Sequence, residues 1–210
     1  MTTRRFPTAR RSLSAVAQEA KGCQRCPLYR FATQTVFGEG PAHAPVMLVG
    51  EVPGDQEDLQ GRPFVGPAGR ILDRALADAG INRERVYVTN AVKHFKFEPR
   101  GKRRLHKKPN AGEIAACKWW LDQELDLVKP ALTVALGATA ARALAGRALP
   151  IGASRGHLLE LRDGLPGLVT IHPSFLLRMP DPQVKEQEYR RFVADLRLIA
   201  RHVPAAKRAA

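Results

Sequence analysis

The chain has 210 residues, with 34 Lys or Arg against 20 Asp or Glu and a formal net charge of +14. That length favours one domain with a substantial core, and 44% hydrophobic content argues against wholesale disorder. No apolar run approaches the ~18 residues of a membrane span, three cysteines are too few for a disulfide scaffold, and the Arg-rich start lacks the apolar stretch of a secretory signal. A cytoplasmic monomer is the expectation. Charge of this size points to an anionic partner, with nucleic acid first.

Taken in order, residues 1–11 read as a disordered basic arm. The single domain is expected over 12–201 and a flexible tail over 202–210. Ser12 can cap a short helix through Lys21, with Leu13, Val16, Ala17 and Ala20 on one face. Gly22 stops it. Cys23-Gln-Arg-Cys26 follows with metal or redox spacing, and an inert pair is the third possibility at this point. Residues 28–45 carry Gly38, Gly40, Pro41 and Pro45 and read mostly as loop.

Val46 to Val49 is a buried strand, closed by Gly50 and Glu51. Pro67 opens a helix with Ile71, Leu72, Ala75, Leu76 and Ala79 at helical spacing, and Gly80 closes it. Val86 to Asn90 is a second strand. Residues 91–110 read as one long loop without periodicity. Within it, Lys93 to Lys108 holds eight Lys or Arg and one acid, half the net charge of the chain. A helix over 111–128, a strand over 131–136 and a short helix over 138–144 follow. Short strands at 158–161 and 168–171 precede an amphipathic helix over 184–200. Alternating strands and helices imply a three-layer α/β/α sandwich around a mainly parallel sheet.

Ligands of such sheets bind at the carboxyl ends of the strands. Glu51, Asn90 and His172 each follow a strand end. Glu51 suits acid–base or electrostatic work, or else it caps a turn. Asn90 can donate and accept along one edge of a base, or else it satisfies its own turn. Phe64, between Pro63 and Gly66, offers a flat face as readily as it fills a core. His172 fits a structural role as well as a polar one.

Together these segments resemble a known family. Gly50-Glu-Val-Pro-Gly-Asp55, Pro63-Phe-Val-Gly-Pro-Ala-Gly69, Thr89-Asn90 and His172-Pro-Ser174 resemble the motifs of the iron–sulfur uracil-DNA glycosylases. Asn90-Ala-Val-Lys-His-Phe-Lys-Phe97 and Lys102-Arg-Arg-Leu-His-Lys-Lys-Pro109 are similar to its X-type branch. The resemblance implies a [4Fe–4S] cluster on Cys23, Cys26 and Cys117, with His94 at the position where hydrolytic relatives carry a fourth Cys. It implies uracil-containing DNA as substrate, single strands included, and uracil as product. Gly54, Asp55, Phe64 and Asn90 would bind the uracil, and Glu51 and His172 would assist bond cleavage.

At the position of His106 the X-type branch carries the nucleophile that bonds to the sugar C1′ after the base leaves, and the resemblance implies that role for His106. On composition alone it is one histidine in a basic loop, with Lys and Arg neighbours that hold part of it neutral. Lys102, Arg103, Arg104, Lys107 and Lys108 are expected to contact phosphates. X-type sequences typically carry Gln after the motif glutamate. Val52 stands there in this chain, which implies weaker excision or capture. The rivals are an ordinary hydrolytic glycosylase and a non-catalytic iron–sulfur DNA-binding module.

Overall fold

A computed structural model describes residues 11–202. The expected basic arm, apart from Arg11, and the expected tail, apart from His202, lie outside the described residues. Five strands form the central sheet in the order β2-β1-β5-β7-β6. β1 (Val46–Gly50), β2 (Val86–Asn90), β5 (Leu132–Leu136) and β7 (Pro166–Thr170) run parallel, and β6 (Leu158–Glu160) closes one edge antiparallel.

The β1 strand explains why it sits near the middle. All five of its residues are buried, as both-face burial demands of a continuous apolar run. Val46 and Leu48 point to one face, where α3 (Pro67–Asp78), α7 (Ser174–Leu177) and α8 (Pro182–Ala200) pack. Met47 and Val49 point to the other, against α4 (Ala111–Val128) and α5 (Ala138–Ala145). Each such side chain contributes roughly 1.5–3 kcal/mol on burial. The expected layered α/β architecture is therefore the observed one. A third apolar cluster joins α1 (Leu13–Ala20), the cysteine segment and α4 through Val16, Ala20, Leu28, Val92 and Trp120.

Helix ends follow from their caps. Ser12 Oγ accepts from Ala15 N–H at 3.2 Å, and Asn110 and Glu113 form a reciprocal capping box at the start of α4. Several short features differ from the sequence expectation. Asp55–Gln60 is a helix, α2, Ile151–Ser154 is another, α6, and the short α7 after β7 is a third. Residues 91–110 are not a plain loop: β3 (Phe97–Arg100) and β4 (Arg103–His106) form an antiparallel hairpin. Its two-residue turn relies on Gly101 at φ +58°. The chain passes from β1 to β2 on one side of β1 and returns to β5 on the other. That reversal opens a crevice at the carboxyl ends of β1 and β5, where ligands of open α/β sheets bind.

Candidate active site

A single cavity of about 990 Å³ opens at that crevice, lined by Glu51, Phe64, Asn90, His106 and His172 among others. Four different chain segments thus meet. Gly50 explains how two of them come so close. A Cβ on Gly50 would sit 2.3 Å from Asn90 Oδ1 and 2.6 Å from the Phe64 ring. Phe64 itself adopts φ +57°, a left-handed conformation rare for a bulky residue. Gly69 makes room for it, since a Cβ there would lie 1.7 Å from the Phe64 carbonyl oxygen. The ring is buried and stacks on His172 at 6.1 Å and 30°.

The loops around Phe64 are tied by a residue that sequence reasoning missed. Glu57, buried in α2, accepts from Gly54 N–H at 3.1 Å and from Gly66 N–H at 2.8 Å. Its carboxylate spans both loops of the pocket. The signal was present, because acids belong in the first turn of a helix, but α2 itself was not recognised.

His172 follows β7. Ser174 N–H donates to His172 Nδ1 at 3.1 Å, and Arg178 donates to Ser174 Oγ at 3.0 Å. Ser174 Oγ lies 2.8 Å from the same Nδ1. An accepting Nδ1 leaves the ring proton on Nε2. Burial, with His106 and Arg178 as lesser causes, pushes the imidazole down to about 4. His172 is therefore a neutral hydrogen-bond donor near pH 7, which suits a site where negative charge develops.

His106 ends β4 and pairs across the hairpin with Phe97, its ring tilted against Phe95 at 6.2 Å. The residue is exposed at the rim, yet loss of water around the imidazole is the largest cause of its lowered pKa. Glu51 opposes that shift, while Arg178 and Lys108 add to it. The cations that the sequence suggested as the cause are thus secondary. One oxygen of Glu51, Oε1, is buried without a partner among the described residues. A buried carboxylate oxygen with no donor is costly and stands ready for a ligand proton.

The basic window divides once folded. Lys93 is fully buried: Nζ lies 2.5 Å from Glu124 and donates to Thr89 Oγ1 at 2.6 Å and to the Asn90 carbonyl at 2.7 Å. Glu124 also accepts from Gly38 N–H, Tyr87 and Thr89. This satisfied network anchors the backbone of Asn90. Arg104, grouped by its position with the phosphate contacts, instead bonds Asp58 at 2.7 Å and Asp55 at 2.6 Å, above the Phe95 and Phe97 rings. Asp55 lines the cavity but its carboxylate is engaged there. Lys107 pairs with Glu98, and Lys96 with Glu113. Arg100, Lys102, Arg103 and Lys108 are exposed, and none has an ion pair among the described residues.

Cys23, Cys26 and Cys117 are free thiols buried in one cluster with Val52, Val92 and Trp120. Trp120 Nε1–H donates to Cys23 Sγ at 3.0 Å and Lys93 N–H to Cys117 Sγ at 3.1 Å. Burial raises Cys26 and pushes Cys117 up to about 12. His94 is buried, with Nε2 2.9 Å from Thr35 Oγ1 and Nδ1 without a partner among the described residues. Among the described residues no three His, Cys, Asp or Glu side chains converge to hold one metal ion. A cubane offers each ligand its own iron, so its ligands surround a volume rather than a point. Three sulfurs, N–H donors on two of them and an orphaned imidazole nitrogen fit that donor set.

Residues 37–197 match the Uracil DNA glycosylase superfamily. The chain belongs to that superfamily. A type-4 uracil-DNA glycosylase of Thermotoga maritima is 38% identical over 184 residues, covering 87% of this chain and 90% of the relative. A type-4 uracil-DNA glycosylase of Pyrobaculum aerophilum is 38% identical over 169 residues, covering 76% and 82%. A third type-4 enzyme, of Sulfurisphaera tokodaii, is 40% identical over 127 residues, covering 60% and 54%. As a member of the superfamily, the chain carries its three-layer fold.

Proposed function

We propose that the chain excises uracil from DNA, single strands included, and then bonds to the abasic sugar through His106, as in the X-type branch. The observation that carries this reading is that His106 shares one cavity with Glu51 and His172 and feels both electrostatically. Uracil stacks on Phe64, with Asn90 along its edge and the Gly54 backbone beside it. As the C1′–N1 bond breaks, its electron pair leaves with the base. His172 Nε2–H donates to the uracil oxygen that gathers the charge, and Glu51 faces the cationic sugar. Neutral His106 attacks C1′ with a ring lone pair. The new N–C1′ bond makes the ring cationic, and its remaining N–H proton passes to Glu51.

Cys23, Cys26, Cys117 and His94 would hold the [4Fe–4S] cluster, which when bound cross-links the cysteine segment, the exit from β2 and α4. Arg100, Lys102, Arg103 and Lys108 attract the phosphates, and the protein acts as a monomer. One observation favours a second reading, ordinary hydrolysis: the unpartnered Glu51 oxygen would equally orient a water. Incubation with a uracil-containing oligonucleotide and a denaturing gel separate the two. A heat- and SDS-stable band that His106→Ser removes is expected. Abasic product without the band sinks capture and leaves hydrolysis; no product at all leaves a binding module.

A further inference from the structure

Of the four side chains proposed to hold the cluster, His94 is the one whose donor atom has to be prepared. A thiolate offers its sulfur whatever its rotamer. A neutral imidazole offers a lone pair on one ring nitrogen only, and the hydrogen bond made by the other nitrogen decides which. His94 is 4% exposed, its Nε2 lies 2.9 Å from Thr35 Oγ1, and its Nδ1 has no partner among the described residues.

Two observations place the ring proton. A threonine hydroxyl has a single proton to give, and Thr35 gives it to the Ala20 carbonyl at 2.8 Å. A carbonyl has none to return, so the Thr35 oxygen accepts from His94 and the ring proton sits on Nε2. The opposite tautomer fails at both ends. It would turn the hydroxyl toward the ring and leave two oxygens 2.8 Å apart with no proton between them. It would also bury an Nδ1–H donor without an acceptor. A doubly protonated ring meets the second fault as well. Nδ1 therefore carries a bare lone pair away from water, which is what a metal ligand requires.

Thr35 is itself held in place. Val36 N–H donates to the Lys93 carbonyl at 2.8 Å, so the chain at 35 lies beside the chain at 94. The Ala20 carbonyl, at the end of α1 where helix carbonyls lack partners, accepts from Cys23 N–H at 3.0 Å as well as from Thr35. One carbonyl thus ties the Thr35 hydroxyl to the cysteine segment. On the other side, Lys93 N–H, next to His94, donates to Cys117 Sγ at 3.1 Å. Resting on the proposed cluster, we infer that Thr35 is a positioning residue that locks His94 in its Nε2–H tautomer, so that Nδ1 is the nitrogen that binds iron.

Two measurements on the cluster-loaded protein test this without reading activity. In the first, wild-type protein carries histidine labelled with nitrogen-15 at Nδ1 or at Nε2, is reduced at cryogenic temperature, and is read by pulsed electron paramagnetic resonance. A nitrogen bound to iron couples to the unpaired electron far more strongly than the remote ring nitrogen, and the strong coupling should change isotope with the Nδ1 label alone. In the second, visible absorbance follows iron release to excess chelator. Thr35→Val keeps the shape of the side chain and removes the hydroxyl, and should speed release about tenfold, the low end of the cost of losing a metal site's outer partner. Thr35→Ser, which keeps the hydroxyl, should release at the wild-type rate. A Thr35→Val protein that folds by thermal melting yet retains no cluster, while Thr35→Ser loads normally, supports the same conclusion. A strong coupling that follows the Nε2 label overturns the tautomer, and wild-type release from Thr35→Val overturns the role of Thr35. Failure of the cluster reading looks different and takes the inference with it: the wild type carries no iron, or its cluster couples strongly to no histidine nitrogen.

Discussion

Arg104→Ala should be among the most damaging single changes outside the hydrophobic core. The Asp58 side chain is fully buried, and its oxygens accept from Thr33 N–H at 3.0 and 3.2 Å and from Arg104 at 2.7 Å. Removing the guanidinium leaves a buried carboxylate facing one amide. Breaking a buried pair in this way costs about 3–5 kcal/mol. The Arg104 side chain is 23% exposed, which places the expected loss near the lower end, about 3 kcal/mol. The second arm, to a half-exposed Asp55, adds at most ~1 kcal/mol. For a domain of this size that corresponds to a fall of roughly 6–12 °C in Tm. Urea and thermal unfolding measure it directly. The double variant Arg104→Ala/Asp58→Asn removes the orphaned charge and should recover at least half of the loss. A single-variant loss below ~1 kcal/mol, or strict additivity in the double variant, refutes the buried-charge account. Because Arg104 ties the hairpin bearing His106 to α2, covalent yield should fall more than uracil release.

Binding to single-stranded DNA should lose affinity with salt at a log–log slope near −3, about −0.7 for each of the four exposed, unpaired cations of the hairpin region. A slope near zero in anisotropy titrations from 50 to 300 mM salt would discard them as phosphate contacts. Burial holds His172 near 4 against an ordinary 6.5, so between those values the unfolded chain takes up a proton that the folded ring refuses. Its contribution is full above pH 6.5 and is lost as pH falls toward 4, by about 2–3 kcal/mol. His94 and His106 shift in the same direction, so the quantity to read is the difference between the wild type and His172→Gln at pH 7.5 and 4.5. Parallel pH profiles would contradict the depressed value. Gly50→Ala should weaken binding of uracil-containing DNA at least tenfold, since its methyl displaces both Asn90 and Phe64; an unchanged Kd in anisotropy titrations would show the two to be dispensable neighbours.

The sheet was legible because its strands are buried on both faces, leaving apolar runs such as Val46–Val49 that few other structures produce. The polar residues at the strand ends were legible for the same reason, since Glu51, Asn90 and His172 interrupt those runs. The hairpin was hidden. Its strands read Phe-Glu-Pro-Arg and Arg-Arg-Leu-His, with a proline and charged residues where β-branched ones are usual. Only Gly101-Lys102 marked the turn. Its stability comes from stacking of Arg104 on Phe95 and Phe97 and from two acids in another segment, none of which local pattern can report. The same holds for the basic window: charge counting cannot tell Lys93, buried against Glu124, from Lys102, which faces solvent. Glu57 escaped notice because its partners, the Gly54 and Gly66 amides, become neighbours only when both loops close around Phe64.

Val52 gains a physical context from the fold. Its side chain is 6% exposed and packs in the apolar cluster of Cys23, Cys26, Cys117, Val92 and Trp120, while its residue also lines the cavity. The position therefore lies on the wall between the cysteines and the proposed uracil site. An amide here would have to find partners among sulfurs and hydrocarbon, or reach forward into the cavity; valine meets the cluster with no polar group to satisfy. The β1 exit is instead held by the main chain, with Ala91 N–H bonded to the Gly50 carbonyl and Val92 N–H to that of Glu51. The Glu51 main chain is thus held by the β2 exit, and the Lys93–Glu124 network anchors Asn90 beside it. Val52→Gln should accordingly change affinity for the base more than it changes the chemical step, which single-turnover and binding measurements separate. An equal or larger change in the chemical step would show that the residue after the glutamate acts on the reacting atoms.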